Sequence, residues 1–258
     1  MHALIGDIGN TITKICLLEI KTFKVKKIIY FNSNNIPSKK FLNNRLKKII
    51  KEKSINKVAL FSSVVPKYQF ILKRFLKKIY KIKLREIKEK TINKIVKINI
   101  KNKDQVGSDR IANSVGVYKK YKTNCIVLDF GTATTFDVVT KKGIYNGGII
   151  APGVNLSIKS LTNSADQIPD FHIKKQKKII GKNTLEALRS GFYWGYSGLI
   201  NNIILKIEKE TKRKYKIIFT GGYADLFKTS IIRPFTIDKN ITIEGIIEIY
   251  KENKKYLN

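Results

Sequence analysis

Two rhythms of apolar and polar positions run along the chain. Residues 2–31 read as strands, ALIGD, TKICLLEI and FKVKKIIYF, with apolar residues alternating in the last. Residues 38–53 instead carry Phe41, Leu42, Leu46, Ile49 and Ile50 at helical spacing. KVALFSSVV at 57–65 is again strand-like, and residues 67–80 place Phe70, Ile71, Phe75, Leu76 and Ile79 on one helical face. Strand, helix, strand, helix predicts an α/β fold. Residues 81–100 alternate Lys with Ile or Leu and are expected to form an edge strand whose lysines discourage pairing with other molecules. Helices are expected at 109–118, 155–161, 183–207 and 243–250. KIIFTGG should be a buried strand followed by a short helix through 224–227.

One pattern occurs twice. ALIGDIGNTITKICLLEI and CIVLDFGTATTFDVVT both run apolar strand, Asp, apolar residue, Gly, small polar residues, second strand. Asp7 aligns with Asp129, Gly9 with Gly131 and Thr13 with Thr135, a constant offset of 122 residues. Two halves opening on the same hairpin indicate an internal duplication. The expectation is two α/β lobes, residues 1–116 and 117–258, facing each other across a cleft.

Composition narrows this picture. A chain of 258 residues with 43% hydrophobic positions can bury one large or two modest cores. The formal charge of +33 suggests a polyanion partner, yet only seven of the 52 basic residues are Arg. Nucleic-acid surfaces lean on Arg for bidentate contacts. Lysines spread from end to end read instead as solvated faces, and no nucleic-acid partner is expected. Cys16 and Cys125 lie in apolar strand-like runs and are expected to be buried thiols of a reducing compartment. His2 and His172 have no ligand-spaced neighbours, which excludes a zinc site. No apolar run reaches the roughly 18 residues of a membrane span, and MHALIGDIGN lacks a charged leader, so the protein is expected to be cytoplasmic.

The chemistry of the hairpins follows from their residue types. A Gly lets backbone approach a ligand, consecutive N–H groups and Ser/Thr hydroxyls cradle phosphate oxygens, and a strand-end Asp can hold a cation beside them. Asp7, Ile8, Gly9, Asn10 and Thr11 form one such set, with Lys14 as a further positive charge. Asp129, Phe130, Gly131, Thr132, Ala133 and Thr134 form the other. Facing hairpins of this kind are the phosphate clamp of the actin, heat-shock ATPase and sugar-kinase superfamily, which this chain resembles. A third signal is VGSDRIANSVGVY at 106–118. There a carboxylate could accept the proton of an attacking hydroxyl, and the adjacent guanidinium could grip a substrate carboxylate. Taken alone, the segment could equally be a helix start capped by Ser108 or Asp109.

DIGNTITK, SSVVP (62–66), VGSDR, LDFGTATT, GGIIAPG (147–153), LTNSADQIP (161–169), GKNTLEALRSG (181–191) and FTGG together, in order and spacing, resemble type III pantothenate kinase over nearly the whole chain. The resemblance implies two similar RNase H-like lobes with mixed sheets flanked by helices. It also implies ATP-dependent phosphorylation of pantothenate to 4'-phosphopantothenate, the first step of coenzyme A biosynthesis. Asp7, Ile8, Gly9, Asn10, Thr11, Ile12, Thr13 and Lys14 would then bind ATP phosphates, with Asp7 near Mg2+ and Thr132 binding ATP from the second hairpin. Asp129 would hold a monovalent cation, K+ or NH4+, and residues 220–222 would lie near the nucleotide. Gly107, Ser108, Asp109 and Arg110 would line the pantothenate pocket with Asp109 as proton acceptor, and Thr184 would contact pantothenate. The resemblance further implies a homodimer with that pocket at the subunit interface. Two positions depart from the family pattern: Ile100 stands where an aromatic is usual and Lys103 where Pro is usual. The alternatives are a related kinase acting on another small hydroxyl compound and a non-catalytic DNA-binding regulator on the same fold.

Overall fold

The computed structural model describes residues 1–50 and 55–257. Its contacts divide the chain into two units, 1–122 with 143–145 and 240–258, and 123–142 with 146–239. The division expected at 116 therefore moves a few residues along. The segment from Asn240 joins the first unit because of what it covers there.

In unit 1 the strands are β1 (His2–Ile8), β2 (Ile12–Glu19), β3 (Lys24–Asn32), β4 (Val58–Ser63) and β5 (Lys83–Glu86), in the order β3-β2-β1-β4-β5. The β1–β2 and β2–β3 pairs are antiparallel, whereas β1–β4 and β4–β5 are parallel. Side chains alternate across a strand, and both faces of this sheet are buried. Leu4, Ile8, Ile15 and Leu17 face the core formed with helices α1 (Lys39–Lys47) and α2 (Pro66–Phe75), through Leu42, Leu46, Leu72 and Phe75. Ala3, Ile5, Cys16 and Leu18 face α3 (Ser108–Tyr121) and a later helix, Ile241–Glu252, through Ala112, Val115, Ile243 and Ile246. The backbone of Gly245 lies directly on the Ala112 carbonyl, a spacing no side chain would permit.

Unit 2 repeats the scheme. Strands β7 (Cys125–Phe130), β8 (Ala133–Val139), β9 (Ile144–Pro152), β10 (Lys216–Gly221) and β11 (Phe235–Ile237) lie in the order β9-β8-β7-β10-β11, with β7–β8 antiparallel and β7–β10 and β10–β11 parallel. The short β6 (Lys97–Ile98) pairs with Ile144 and Tyr145 at the start of β9. The sheet buries Ile126, Leu128 and Phe130 against α4 (Val154–Ser164) and the 28-residue α5 (Thr184–Thr211), with Tyr193, Tyr196, Ile200 and Ile204 contributed by α5. The helix Ile241–Glu252 is α6, and α7 is Lys254–Leu257. The duplicated opening thus heads two sheets of the same strand order, and the fold is α/β with two mixed sheets flanked by helices.

Three local expectations change. The segment 81–100 forms only β5, at the sheet edge, and β6, because the Glu86 and Glu89 side chains accept the backbone N–H groups of Lys88 and Glu86 and turn the chain between them. Residues 224–227 are turns: Ala224 and Phe227 are buried three residues apart, a spacing that i→i+3 bonds such as Leu226 N–H to Tyr223 O satisfy without a helix. The helix expected over 38–53 is α1, which ends at Lys47 with the chain turning over 48–49, and the expected stretch 51–53 lies outside the described residues.

Candidate active site

The carboxyl ends of the parallel strands, where ligands gather in open α/β sheets, hold most of the residues singled out. In unit 1 the first hairpin pairs Asp7 with Lys14 and Ile8 with Thr13. Its turn is closed by Gly9 N–H donating to the Ile12 carbonyl at 3.1 Å, and Asn10, Thr11 and Ile12 at its tip are exposed. On the other side of β1, the end of β4 sets Ser62 beside Asp7 and Ser63 beside Ile8, and Val64 N–H donates to the Ile8 carbonyl at 3.1 Å. The Ser62 Oγ is buried with no hydrogen-bond partner among the described residues.

The same end of β4 borders the G-S-D-R segment. A Cβ on Gly107 would come within 3.5 Å of Val64 Cγ1 and 2.5 Å of Asp109 Oδ1, so glycine leaves the Asp109 carboxylate its room. Neither Ser108 nor Asp109 caps α3: the cap is Gly107, with no side-chain bond. Asp109 Oδ1 accepts the Arg110 N–H at 2.8 Å. Burial pushes the Asp109 pKa above the ordinary carboxylate value, partly offset by the Arg110 N–H and the charges of Arg110 and Lys88. The Arg110 guanidinium lies 5.8 Å from the Tyr145 ring centroid. Ser108 is buried and donates to Glu86 Oε1 at 2.5 Å, so its hydroxyl holds the segment in place.

Three residues that the sequence did not single out support these loops. Glu86, at the carboxyl end of β5, anchors Ser108, and burial raises its pKa against the opposing effect of that bond. Lys88 Nζ donates to the carbonyls of Asp104 at 2.7 Å and Val106 at 2.9 Å, tying down the loop before Gly107. Ser33, fully buried, touches the first hairpin at three points. Its N–H donates to the Thr11 carbonyl at 2.8 Å, its hydroxyl donates to the Gly9 carbonyl at 2.7 Å, and Thr13 Oγ1 lies 2.8 Å from its Oγ. The only signal for Ser33 was the polar run Asn32 to Asn35 ending β3, which reads as a turn.

In unit 2 the second hairpin has exposed Gly131 and Thr132 at its tip and Asp129 half-buried at the end of β7. Parallel pairing sets Thr220 beside Asp129 and Gly221 beside Phe130. Gly221 has φ +85°, and a Cβ there would meet Asp129 Oδ1 at 2.7 Å and the Phe130 backbone at 2.6 Å. A Cβ on Gly153 would meet the Gly131 carbonyl oxygen at 2.7 Å and would also strike the Thr132 carbonyl. Thr184 is the exposed first residue of α5, whose Asn183 cap accepts the Glu186 N–H at 2.9 Å. It lines a groove of about 590 Å³ with Leu161, Leu188, Phe192, Tyr196 and Gly191.

Among the described residues no group of three or more His, Cys, Asp or Glu side chains could hold a metal ion. The oxygen donors that are present, Asp7 beside the buried Ser62 hydroxyl and Asp129 beside backbone, suit hard cations completed by water and phosphate oxygens. No helix among the described residues is long and apolar enough to cross a membrane.

A family model described as type III pantothenate kinase matches residues 3–206. A type III pantothenate kinase of Pelagibacter ubique (strain HTCC1062) is 50% identical over 249 residues, 95% of this chain and 96% of that protein. One from Paramagnetospirillum magneticum (strain ATCC 700264 / AMB-1) is 37% identical over 195 residues, 76% of this chain and 75% of that protein. Among solved structures, a conserved Campylobacter jejuni protein assigned to the Baf family of transcriptional activators superposes with TM-score 0.63 at 21% identity, covering 98% of this chain and 99% of its own. MreB 5 of Spiroplasma citri bound to AMPPNP superposes with TM-score 0.56 at 12% identity, covering 99% and 97%. At those identities the likeness is one of fold.

Proposed function

Because the chain belongs to the type III pantothenate kinase family, and so phosphorylates pantothenate with ATP in coenzyme A biosynthesis, we propose that residues 7–14 and Thr132 bind the nucleotide and that Asp109 accepts the proton of the attacking hydroxyl. The γ-phosphoryl passes from ATP to the terminal primary hydroxyl of pantothenate. The new P–O bond forms as the bond to the β-phosphate oxygen breaks, ADP leaves, and the hydroxyl proton goes to Asp109. Positioning and electrostatics supply most of the rate in such transfers. One observation carries this reading: the end of β4 borders both the Asp7–Lys14 hairpin and the Gly107–Arg110 segment within one unit. A buried carboxylate with a raised pKa also suits a proton acceptor.

Arg110 grips the substrate carboxylate, and Thr184 contacts the substrate from a groove whose apolar walls suit its hydrocarbon body. Asp7 would hold magnesium and Asp129 a monovalent cation, K+ or NH4+. Magnesium, when bound, neutralises charge on the phosphate oxygens. Lys14, opposite Asp7 in the hairpin register, adds a positive charge near those oxygens. The active form is a cytoplasmic homodimer with the pantothenate pocket at the subunit interface. The lysines are solvated faces with no nucleic-acid partner. Incubation with ATP, magnesium and pantothenate, in potassium and then sodium buffer, tests this by mass. The expected result is phosphopantothenate in quantity only with potassium, and equal yields in both buffers overturn the monovalent site. Light scattering at micromolar concentration should give twice the mass of one chain.

A further inference from the structure

We propose that Ser33 is the positioning residue of the first phosphate hairpin, holding its tip in the shape that receives the nucleotide phosphates. The inference rests on the assignment of residues 7–14 to ATP.

A hairpin tip of small residues has little to keep it in one shape. Gly9, Asn10 and Thr11 bury no side chain of their own, and Asn10, Thr11 and Ile12 are exposed. The order comes from β3, which pairs with β2 as far as Ile12↔Asn32 and then turns over the hairpin. Asn32 caps that turn by accepting the Asn34 N–H. The next residue, Ser33, is thereby set against the tip with no exposure to solvent. Its N–H continues the β2–β3 ladder one step to the Thr11 carbonyl at 2.8 Å. Its single hydroxyl proton goes to the Gly9 carbonyl at 2.7 Å, so the Thr13 hydroxyl must be the donor in the 2.8 Å contact with Ser33 Oγ. One buried serine therefore fixes residues 9, 11 and 13, every second position of the loop that must present N–H groups to phosphate. The two carbonyls, of Gly9 and Thr11, belong to the peptide units whose N–H groups are those of Asn10 and Ile12. Fixing a carbonyl fixes the direction of the N–H in the same planar unit. Ser33 needs no contact with ATP to exert this effect.

The test compares Ser33→Ala, Ser33→Cys and Ser33→Thr with the natural protein, reading KM for ATP, KM for pantothenate and Tm. Ala and Cys remove the hydroxyl, Cys without emptying the site, and Thr restores it. Ser33→Ala or Ser33→Cys should raise KM for ATP about tenfold while moving KM for pantothenate less than twofold, the scale of losing a buried hydrogen bond. Ser33→Thr should recover most of the ATP affinity. A folded Ala or Cys variant with natural KM for ATP overturns the inference, as does an equal rise in both KM values. If neither variant folds, Ser33 is a residue of general stability and the inference also fails. Gly9→Val separates this from the parent assignment. If Gly9→Val leaves KM for ATP unchanged, the hairpin is not the phosphate site. If it raises KM while the Ser33 variants do not, only the role of Ser33 is wrong.

Discussion

The two Asp-x-Gly hairpins head sheets of the same strand order, yet the contacts around each differ. The first is stitched by side-chain hydrogen bonds from Ser33, an element 20 or more residues away. The second is wedged by backbone, with Gly153 and Gly221 lying against the carbonyls of Gly131 and Thr132 and against Phe130 and the Asp129 carboxylate. A duplicated topology therefore conserves where a loop stands without conserving how it is made rigid. Loss of a hydrogen bond weakens the first by degrees, whereas any added side chain should displace the second outright.

The largest asymmetry is chemical, since in this assignment only unit 1 carries a proton acceptor. Asp109→Asn should lower kcat about 10²–10⁴-fold, the usual worth of a general base, with KM for ATP nearly unchanged. The acid limb of the natural enzyme's pH–rate profile should lie above the ordinary aspartate value, because burial raises the Asp109 pKa. The sign for stability is opposite. A carboxyl whose folded pKa is raised loses stability as pH rises through that pKa, so Asp109→Asn should not lower Tm at neutral pH. A large fall in Tm would give the residue a structural role instead.

The next test breaks the wedge. Gly153→Val should raise KM for ATP or lower kcat by about 10²-fold, since displacing a positioning loop by about 1 Å has that scale. A steady-state profile matching the natural enzyme would show that the second hairpin does not need Gly153. Asp129→Asn should cost about tenfold in potassium buffer and bring the potassium and sodium rates together; a preserved preference would move the monovalent site elsewhere. Smaller still, Glu86→Gln should leave KM for ATP alone and raise KM for pantothenate about threefold through a weakened Ser108 bond. At the bottom of the scale, both cysteines are free and buried, with thiol pKa values pushed up to about 12. Native iodoacetamide treatment followed by peptide mass mapping should find neither alkylated.

The hairpins and the G-S-D-R helix start were legible because their information is local. An apolar run, an Asp and a Gly specify a turn wherever they occur, and repetition at a fixed offset marks them as more than turns. Ser33, Glu86 and Lys88 were not legible, because each acts across 16 or more residues through strand register or a side-chain reach that only the folded sheet provides. The membership of α6 in unit 1 was hidden for a related reason. Its apolar pattern announces a helix, but the pattern is silent about which of two sheets it will cover.

That return of α6 has a consequence for how the protein is made. Residues 241–252 cover the face of the unit 1 sheet that carries Ala3, Ile5, Cys16 and Leu18, and Asn56 bonds to Tyr250 Oη at 2.8 Å and to the Leu257 carbonyl at 2.6 Å. Translation adds roughly 5–20 residues per second, so the first-made sheet waits on the order of ten seconds with α3 the only helix on this face. Unit 2, continuous apart from a three-residue strand segment, can finish before it. A released chain truncated after residue 239 should thus keep a protease-resistant second unit while its first unit engages chaperones.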